Sequence, residues 1–321
     1  MDLRRLHAGG IHAVMISFVL PVFNEAECLE VFHSELCSAL DQHPEYEYEL
    51  IYVDDGSRDG SGLILEDLAV KDERVRVLSL TRNFGHQAAI SAGLDHSRGD
   101  ATIIMDTDLQ DPPPVAFGLI AKWREGWDVV YAQRRIRDEG WFKRASAAVF
   151  YRLLSTIAEV EIPRNVGDFR LADRRVVQEI RRFTEHDRFV RGMFAYVGFR
   201  QTGVEFDRPA RVAGTTSYPL VRMMKLASDG VFAFSTAPLR FVRTVGFVIA
   251  GLAFLGAAWV LAGKLFQPES VVPGWTFIVI SVLFVGGVQI IMLGVVGSYV
   301  GRTYSEAKNR PLYVVRSGSD G

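Results

Sequence analysis

The sequence has little cysteine, no excess of basic charge and no long apolar segment at its amino terminus. Cys28 and Cys37 are its only cysteines, and because both lie in one predicted helix, a disulfide between them is disfavoured. The composition therefore indicates reduced thiols in the cytosol. The net charge of −2 argues against a general nucleic-acid-binding protein. Residues 1–13 contain neither an apolar core nor a cleavage site, so we expect no signal peptide.

Two long segments in the last quarter of the chain contain no charged residue. These segments are residues 244–263 and 270–301. Both are long enough to cross a bilayer, because a membrane-spanning helix needs about 20 apolar residues. We therefore predict two transmembrane helices at about 244–263 and 274–299, with a pair of buried core helices as the alternative.

Basic residues flank the pair of predicted spans, at Arg240, Arg243, Arg302, Lys308 and Arg310. Under the positive-inside rule, this distribution predicts a multi-pass protein of the cytoplasmic membrane, with both termini and the amino-terminal domain in the cytoplasm. Gly297 and Gly301 form a small-xxx-small pair, which permits close helix packing within or between subunits.

Short apolar runs alternate with amphipathic segments in the first half of the chain. The apolar runs are Ile16–Leu20, Leu50–Val53, Val75–Leu80, Ala101–Met105 and Val129–Ala132, and the amphipathic segments are Glu27–Leu40, Gly62–Ala69 and Gln87–His96. This alternation predicts a doubly wound α/β domain with a buried, largely parallel sheet. Ligands of such sheets bind beyond the carboxyl ends of the strands.

An acidic motif follows the fourth predicted strand. Asp106 and Asp108 come directly after Met105, and Leu109-Gln110-Asp111 and a run of prolines follow. A turn at the end of the strand lets both carboxylates approach one divalent cation. Hard oxygen ligands favour Mg²⁺ or Mn²⁺, which would neutralise a nucleotide diphosphate. For an isolated Asp-x-Asp motif, the alternative is an acidic turn that caps a strand.

Polar residues also follow the first three predicted strands, at Asn24, Glu25, Asp54, Asp55, Arg82 and Asn83. The run Asp54-Asp55-Gly56-Ser57 supplies the hydrogen-bond acceptors that a nucleotide base and ribose need. The alternative for this run is a βα turn with an N-cap serine. For Arg82, the alternative is a structural ion pair with the acidic loops.

Two segments have the composition of helices that lie in a membrane interface. Residues 141–157 combine an aromatic and apolar face with Lys143 and Arg144, and residues 218–234 lead directly into the first predicted span. An ordinary amphipathic helix docked on the sheet is the alternative for the first segment.

Several motifs in order resemble the membrane-anchored polyprenyl-phosphate glycosyltransferases of glycosyltransferase family 2. The matching motifs are Val22-Phe23-Asn24-Glu25, Asp54-Asp55-Gly56-Ser57, Arg82-Asn83-Phe84-Gly85, Asp106-Thr107-Asp108-Leu109-Gln110-Asp111-Pro112 and Gly167-Asp168-Phe169-Arg170-Leu171. The resemblance covers the chain from Ser17 to about Arg310. It implies a GT-A, Rossmann-like catalytic domain, and it suggests a tetramer.

The resemblance also implies a role for each motif. The residues that would surround the nucleoside are Pro21, Asn24, Glu25, Asp54, Asp55 and Ser57, with Arg82 and Asn83 ordering the pocket. Asp106 and Asp108 would hold the diphosphate through the metal. Asp168 would be the catalytic or acceptor-site aspartate: it orients the acceptor phosphate, takes up its last proton, or stabilises positive charge on the sugar. A helix-capping aspartate is the alternative for Asp168.

The acceptor phosphate requires cations near the membrane surface. We assign Arg134, Arg135, Lys143 and Arg144 to it, with contacts to lipid headgroups as the alternative. The resemblance adds Arg188 and Arg191 near the acceptor and a loop around Arg211 that covers the donor. In that loop many relatives carry a basic residue where this chain has Ser217.

These features predict four regions. Residues 1–216 form the cytoplasmic GT-A domain, including the interfacial helix at about 141–157. Residues 217–240 form juxtamembrane amphipathic helices, residues 241–301 contain the two spans, and residues 302–321 form a cytoplasmic tail.

The predicted reaction is an inverting transfer of a sugar from a nucleotide-diphosphate sugar to a polyprenyl phosphate at the cytoplasmic membrane face. UDP-glucose is the favoured donor, and GDP-mannose or another nucleotide sugar is the alternative. A processive polysaccharide synthase would need a Gln-x-x-Arg-Trp signature, which is not evident. A non-catalytic membrane scaffold is a further alternative, against which the intact carboxylates argue.

Overall fold

The structure is a computed structural model. It describes residues 13–135, 166–186, 188–207, 239, 242, 244–249, 251, 252, 255 and 274–318. The described residues divide into two units: the first contains 13–135, 166–207 without Asp187, and 311–318, and the second contains those between 239 and 310.

The first unit is an α/β domain. Its strands are β1 (Val14–Val22), β2 (Tyr46–Asp54), β3 (Val75–Leu80), β4 (Ala101–Ile104), β5 (Val129–Arg134), β6 (Val166–Asp173), β7 (Gln201–Phe206) and β8 (Val315–Gly318). Its helices are α1 (Leu29–Leu40), α2 (Ser61–Lys71), α3 (His86–His96), α4 (Pro113–Arg124), α5 (Arg174–Arg181) and α6 (Val190–Tyr196). The predicted α/β alternation is confirmed.

Within the described residues, the strands form one sheet in the order β7-β5-β6-β4-β1-β2-β3-β8. Strands β4, β1, β2 and β3 run parallel, so their carboxyl ends meet at one edge. Strand β6 lies antiparallel between β4 and β5, and β8 lies antiparallel beside β3. The central part is therefore the predicted parallel sheet, and antiparallel strands flank it.

Helices cover both faces of the central strands, which explains why these strands are continuous apolar runs. Alternate residues of β1 separate the two layers: Phe18 packs with residues of α1, α2 and α4, whereas Val19 packs with residues of α3, α5 and α6. Both side chains are fully buried. This double layer fixes the strand ends, and thus the loops that follow them.

The sequence did not predict β6, β7 or β8. Strand β6 carries Asp168, so the alternative in which Asp168 caps a helix is wrong. The capping residue is instead Asp173, whose side chain accepts a hydrogen bond from the backbone N–H of Arg175 at the start of α5. A single-sequence pattern misses β6 because its partners β4 and β5 are far away in the chain.

The second unit contains α7 (Trp275–Ala307). Among the described residues, one helical segment, Phe284–Ala307, is long and apolar enough to cross a membrane. The predicted span at 274–299 falls in this helix. The span at 244–263 is described only in part, at residues 244–249, 251, 252 and 255, which are helical. Two spans are therefore not confirmed. The interfacial segment 141–157 and residues 217–238 lie outside the described residues.

Candidate active site

The loops after β1 and β2 are joined by reciprocal hydrogen bonds. The backbone N–H of Asn24 donates to Ser57 Oγ (3.0 Å), and Asn24 Oδ1 accepts from the backbone N–H of Arg58 (2.9 Å). Asn24 adopts a left-handed φ of 56°, a conformation that asparagine tolerates better than most residues. The backbone N–H of Glu25 donates to Ser61 Oγ, which ties the same loop to the start of α2. These hydrogen bonds therefore join the loops after β1 and β2 into one edge of the site.

The loop after β3 is held against the same edge by Asp55. Its two carboxylate oxygens accept hydrogen bonds from the backbone N–H groups of Phe84 (2.7 Å) and Gly85 (2.9 Å). Burial raises the pKa of Asp55, and these two hydrogen bonds oppose the rise. Asp55 was predicted to contact the nucleoside, and the structure shows it bracing the 82–85 loop.

These loops enclose a cleft of about 430 Å³. Its lining includes five of the predicted nucleoside residues, Asn24, Asp54, Ser57, Arg82 and Asn83. It also includes residues that were not predicted: Phe23, Gly56, Arg58, Leu80, Thr81 and Arg316. The predicted residues Pro21, Glu25 and Asp55 are not among the lining residues.

A cluster of carboxylates lies at the ends of β4 and β6. His86 Nε2, at the start of α3, lies 3.3 Å from Asp168 Oδ2 and 3.6 Å from Asp106 Oδ1. The backbone N–H of Asp106 donates to Asp111 Oδ2 at 3.4 Å. Leu109, with a φ of 60°, turns the chain so that Asp111 comes back toward Asp106. Asp108 Oδ1 accepts from the backbone N–H of Gln110 in the same turn.

Two oxygens of this cluster are buried without a hydrogen-bond partner among the described residues: Asp106 Oδ1 and Asp111 Oδ1. The Asp106 side chain is 31% exposed overall, yet this oxygen is buried. Burial raises the pKa of Asp106; His86 opposes this rise, and the charges of Asp168 and Asp108 add to it. Burial also raises the pKa of Asp111 to about 7, with further repulsion from Asp106. Buried carboxylate oxygens without a hydrogen bond fit a divalent cation with oxygen ligands.

The pKa of Asp168 is lowered, whereas those of Asp106 and Asp111 are raised. Asp168 is 6% exposed, and burial alone would raise its pKa, but hydrogen bonds from His86 and Arg191 and the nearby charge of Arg170 hold that pKa far below its usual range. Arg191 donates to both oxygens, from Nε to Oδ1 at 2.8 Å and from Nη2 to Oδ2 at 3.1 Å. Burial would lower the pKa of His86, but Asp168 and Asp106 raise it. The site therefore contains an ionised carboxylate between cations.

The predicted acceptor cations fall into different surroundings. Arg191 binds Asp168, and Arg134 packs on Gly167, where an added Cβ would lie 3.1 Å from its Nη2. Arg135 instead pairs with Glu205 and Asp207, and Arg188 donates to the backbone carbonyls of Phe183 and Glu185. Lys143 and Arg144 lie outside the described residues. The structure thus brings Arg134 and Arg191 to the carboxylate cluster.

His86 and Asp111 were absent from the predicted site. His86 directly follows the Arg-Asn-Phe-Gly motif, and Asp111 is the last aspartate of the acidic motif, so their positions beside these motifs could have identified them as site residues. No sequence motif identifies Arg316, because its strand lies beyond the predicted spans.

A separate group of possible metal ligands lies away from the cleft, at His33, Cys37 and Asp72. The guanidinium of Arg74 already binds both oxygens of Asp72 and lies 3.3 Å from Cys37 Sγ. Burial raises the pKa of Cys37 to about 11. We interpret the group as an ion-paired network, because a cation is already in place.

Comparison with known proteins gives consistent matches. The family model "Glycosyl transferase family 2" matches residues 17–181. An uncharacterized glycosyltransferase of Bacillus subtilis is 45% identical over 94% of each chain. A prophage-derived bactoprenol glucosyl transferase of Shigella flexneri is 43% identical over 95% of this chain and 99% of that protein. A solved mannosyl-3-phosphoglycerate synthase of Rubrobacter xylanophilus is 19% identical, with a TM-score of 0.48 over 73% of this chain and 75% of that chain.

Proposed function

The chain belongs to glycosyltransferase family 2 and is a glycosyltransferase; from that premise we propose that it transfers a sugar from a nucleotide-diphosphate sugar to a polyprenyl phosphate, with inversion at the anomeric carbon. The observation that carries this proposal is the carboxylate cluster of Asp106, Asp111 and Asp168 beside a polar cleft, in which one buried oxygen of Asp106 and one of Asp111 have no hydrogen bond among the described residues. A scaffold protein would have no reason to keep buried carboxylate oxygens without a hydrogen bond, since each costs about 1–3 kcal/mol.

The cleft is the proposed site of the nucleoside. Asp54 and Asn24 supply hydrogen-bond acceptors and donors, and Arg82 stacks on Phe84 at 3.9 Å from the ring centroid, which holds its guanidinium at the rim. The loops are already joined by hydrogen bonds without a ligand, so little conformational entropy is lost on binding.

Asp106 and Asp108 are the proposed ligands of a divalent cation, and we add Asp111 to this proposed set because its Oδ2 accepts a hydrogen bond from the backbone N–H of Asp106. When bound, Mg²⁺ or Mn²⁺ supplies positive charge that stabilises the departing nucleoside diphosphate. The neighbouring carboxylates explain why such charge is needed: two phosphates cannot approach this acidic edge unless it is neutralised.

The acceptor end is assigned to Asp168, Arg191 and Arg134. Asp168 holds the Arg191 guanidinium by two hydrogen bonds, so that this cation can orient the acceptor phosphate. Because the pKa of Asp168 is so low, we assign it this orienting role rather than that of a base. A base is unnecessary, since a phosphate monoester is largely ionised above its second pKa of about 6.

The acceptor class is supported by the relatives. The Shigella flexneri protein is named for transfer of glucose to bactoprenol, a polyprenol, and the match covers nearly all of both chains. UDP-glucose is therefore the favoured donor. GDP-mannose or another nucleotide sugar is the alternative, because nothing in the cleft distinguishes the sugar.

We propose a membrane topology with an even number of crossings, and the sheet supports this proposal. Strands β7 and β8 belong to the same sheet, so Phe206 and Val315 lie on the same side of the membrane. If α7 crosses the bilayer, a second crossing must occur between these residues. The uncharged segment 244–263 is the proposed second span, and the positive-inside rule places the sheet in the cytoplasm.

The test is transfer of radiolabelled glucose from UDP-glucose to extractable lipid in washed membranes that contain the full chain. We expect label in lipid with undecaprenyl phosphate, and its loss in Asp106→Ala and Asp108→Ala variants that still insert into the membrane. Glu66→Gln, an exposed position on α2, is the matched control and should keep full activity. Label in polymer would indicate a processive synthase, and no label with any nucleotide sugar would indicate a scaffold.

A further inference from the structure

The carboxyl-terminal segment of the chain forms part of the sheet of the first unit. Strand β8 pairs antiparallel with β3, with Val315 opposite Leu80, and the backbone N–H of Thr81 donates to the carbonyl of Val314 (2.9 Å). Tyr313 Oη donates to Asp95 Oδ2 on α3 (2.9 Å). The segment is therefore fixed at the edge of the α/β domain by both backbone and side-chain hydrogen bonds.

This pairing places Arg316 in the cleft. Val315 packs into the apolar layer beneath α3. The register of the pairing shifts at the next residue, because Val315 lies opposite Leu80 and Ser317 lies opposite Ser79, so Arg316 is the extra residue of a β-bulge. It lines the cleft together with Asp54, Asn83 and Arg82, and its Nη2 lies 3.4 Å from the Thr81 carbonyl. A residue close to the end of the sequence thus lies among loops that follow the first three strands.

The order of the strands indicates which end of a nucleotide Arg316 would meet. The carboxylate cluster follows β4, and β1, β2 and β3 separate β4 from β8. Four strand spacings amount to roughly 19 Å. If the diphosphate of a nucleotide lies at the end of β4, its base therefore lies toward β8. The carbonyl oxygens of a base accept hydrogen bonds from a guanidinium.

We infer that Arg316 is a nucleobase-binding residue of the donor site, supplied by the carboxyl-terminal strand. The inference rests on the proposed function, because it takes the cleft to be the nucleotide site. It assigns to β8 a role in binding as well as in closing the sheet edge.

The experiment uses the full chain in nanodiscs with Mg²⁺, and measures the affinity for UDP and the inhibition of transfer by pyrophosphate. For Arg316→Ala we expect UDP binding weakened about tenfold, as for the loss of one hydrogen bond to a charged group, and unchanged inhibition by pyrophosphate. Arg316→Gln, which keeps a donor, should lie between Arg316→Ala and the wild type. Arg182→Ala, which removes an exposed arginine directly after α5, is the charge-matched control and should bind UDP normally.

Unchanged UDP affinity in Arg316→Ala would overturn the inference. So would equal losses for UDP and pyrophosphate, because these would indicate a contact with phosphate or a loss of folding. Failure of the wild-type chain to bind UDP or transfer sugar would instead remove the proposed function, so the two failures are distinguishable.

Discussion

At the scale of single residues, the buried oxygens of Asp106 and Asp111 that have no hydrogen bond in the described part of the chain give a prediction that does not depend on turnover. Binding of Mn²⁺ or Mg²⁺ should raise the Tm of the EDTA-treated protein, since a ligand at 100 times its Kd stabilises the folded state by about 2.7 kcal/mol. Asp106→Asn and Asp111→Asn should lose most of this rise, because each removes a charged ligand. Thermal unfolding with and without metal measures the effect.

The control for the metal prediction is Glu66→Gln, which changes an equally charged but exposed residue on α2. It should respond to metal as the wild type does. If Asp106→Asn gains as much Tm as the wild type, the cation binds elsewhere and the assignment of the cluster is wrong.

The pair Asp168 and Arg191 gives a second prediction at this scale. Because the two side chains share two hydrogen bonds, Asp168→Asn and Arg191→Gln should each raise the KM for polyprenyl phosphate about tenfold, and the KM for the nucleotide sugar should change little. The double variant should be less impaired than the product of the two effects, with a coupling of about 0.5–3 kcal/mol. Steady-state kinetics of the four proteins measure this coupling.

Arg188→Gln is the comparison for that cycle. Arg188 was also predicted at the acceptor, but its guanidinium binds backbone carbonyls of the loop that precedes α6. We expect this variant to lower the Tm and to leave the KM for the lipid unchanged. Multiplicative effects of Asp168→Asn and Arg191→Gln would show that the two residues act independently.

At the scale of elements, the cleft depends on the close approach of two loops at Gly56. With φ +70°, an added Cβ would lie 2.6 Å from the carbonyl carbon of Arg82 and 2.8 Å from the backbone N of Asn83. Gly56→Ala should therefore cost roughly 2–5 kcal/mol from strain and backbone displacement, and should weaken UDP binding strongly. Thermal unfolding and UDP titration measure the two effects.

Gly60 offers a matched control in the same connection. Its φ is +99°, but an added Cβ would meet nothing within 4 Å. Gly60→Ala should cost only the strain of the left-handed conformation, about 1–2 kcal/mol, and should keep UDP affinity. Equal loss of UDP binding in both variants would contradict the role of the Gly56 contact.

The elements also show where sequence reasoning stops. The loops after β1 to β4 were predicted because each polar motif follows an apolar run directly. The position of Asp168 beside Asp106 could not be predicted in this way, because it depends on the antiparallel pairing of β6 with β4, across a long separation in sequence. Local patterns contain no information on such pairing.

At the scale of the whole molecule, the proposed topology has two membrane crossings between β7 and β8, which belong to one sheet. We expect a cysteine introduced in the predicted loop between the spans, Ser270→Cys, to react with a membrane-impermeant maleimide in intact cells. Glu66→Cys, on the exposed side of α2, should react only after permeabilisation. Labelling of wild type gives the background from Cys28 and Cys37.

A reversed labelling pattern would place the sheet outside the cytoplasm, where a nucleotide sugar is not supplied. Labelling of both variants in intact cells, or of neither before permeabilisation, would exclude the two-span topology.

The sequence by itself determined the family, the α/β alternation and the order of the motifs, because the periodicity of apolar residues and the chemistry of short motifs are local properties. Only the tertiary structure decided which of the motif residues meet. It brought Arg191, but not Arg188 or Arg135, to Asp168. It also placed His86 and Asp111 in the carboxylate cluster and Arg316 in the lining of the cleft. The physical reason is that these contacts arise from strand order and loop geometry, which depend on the packing of distant segments.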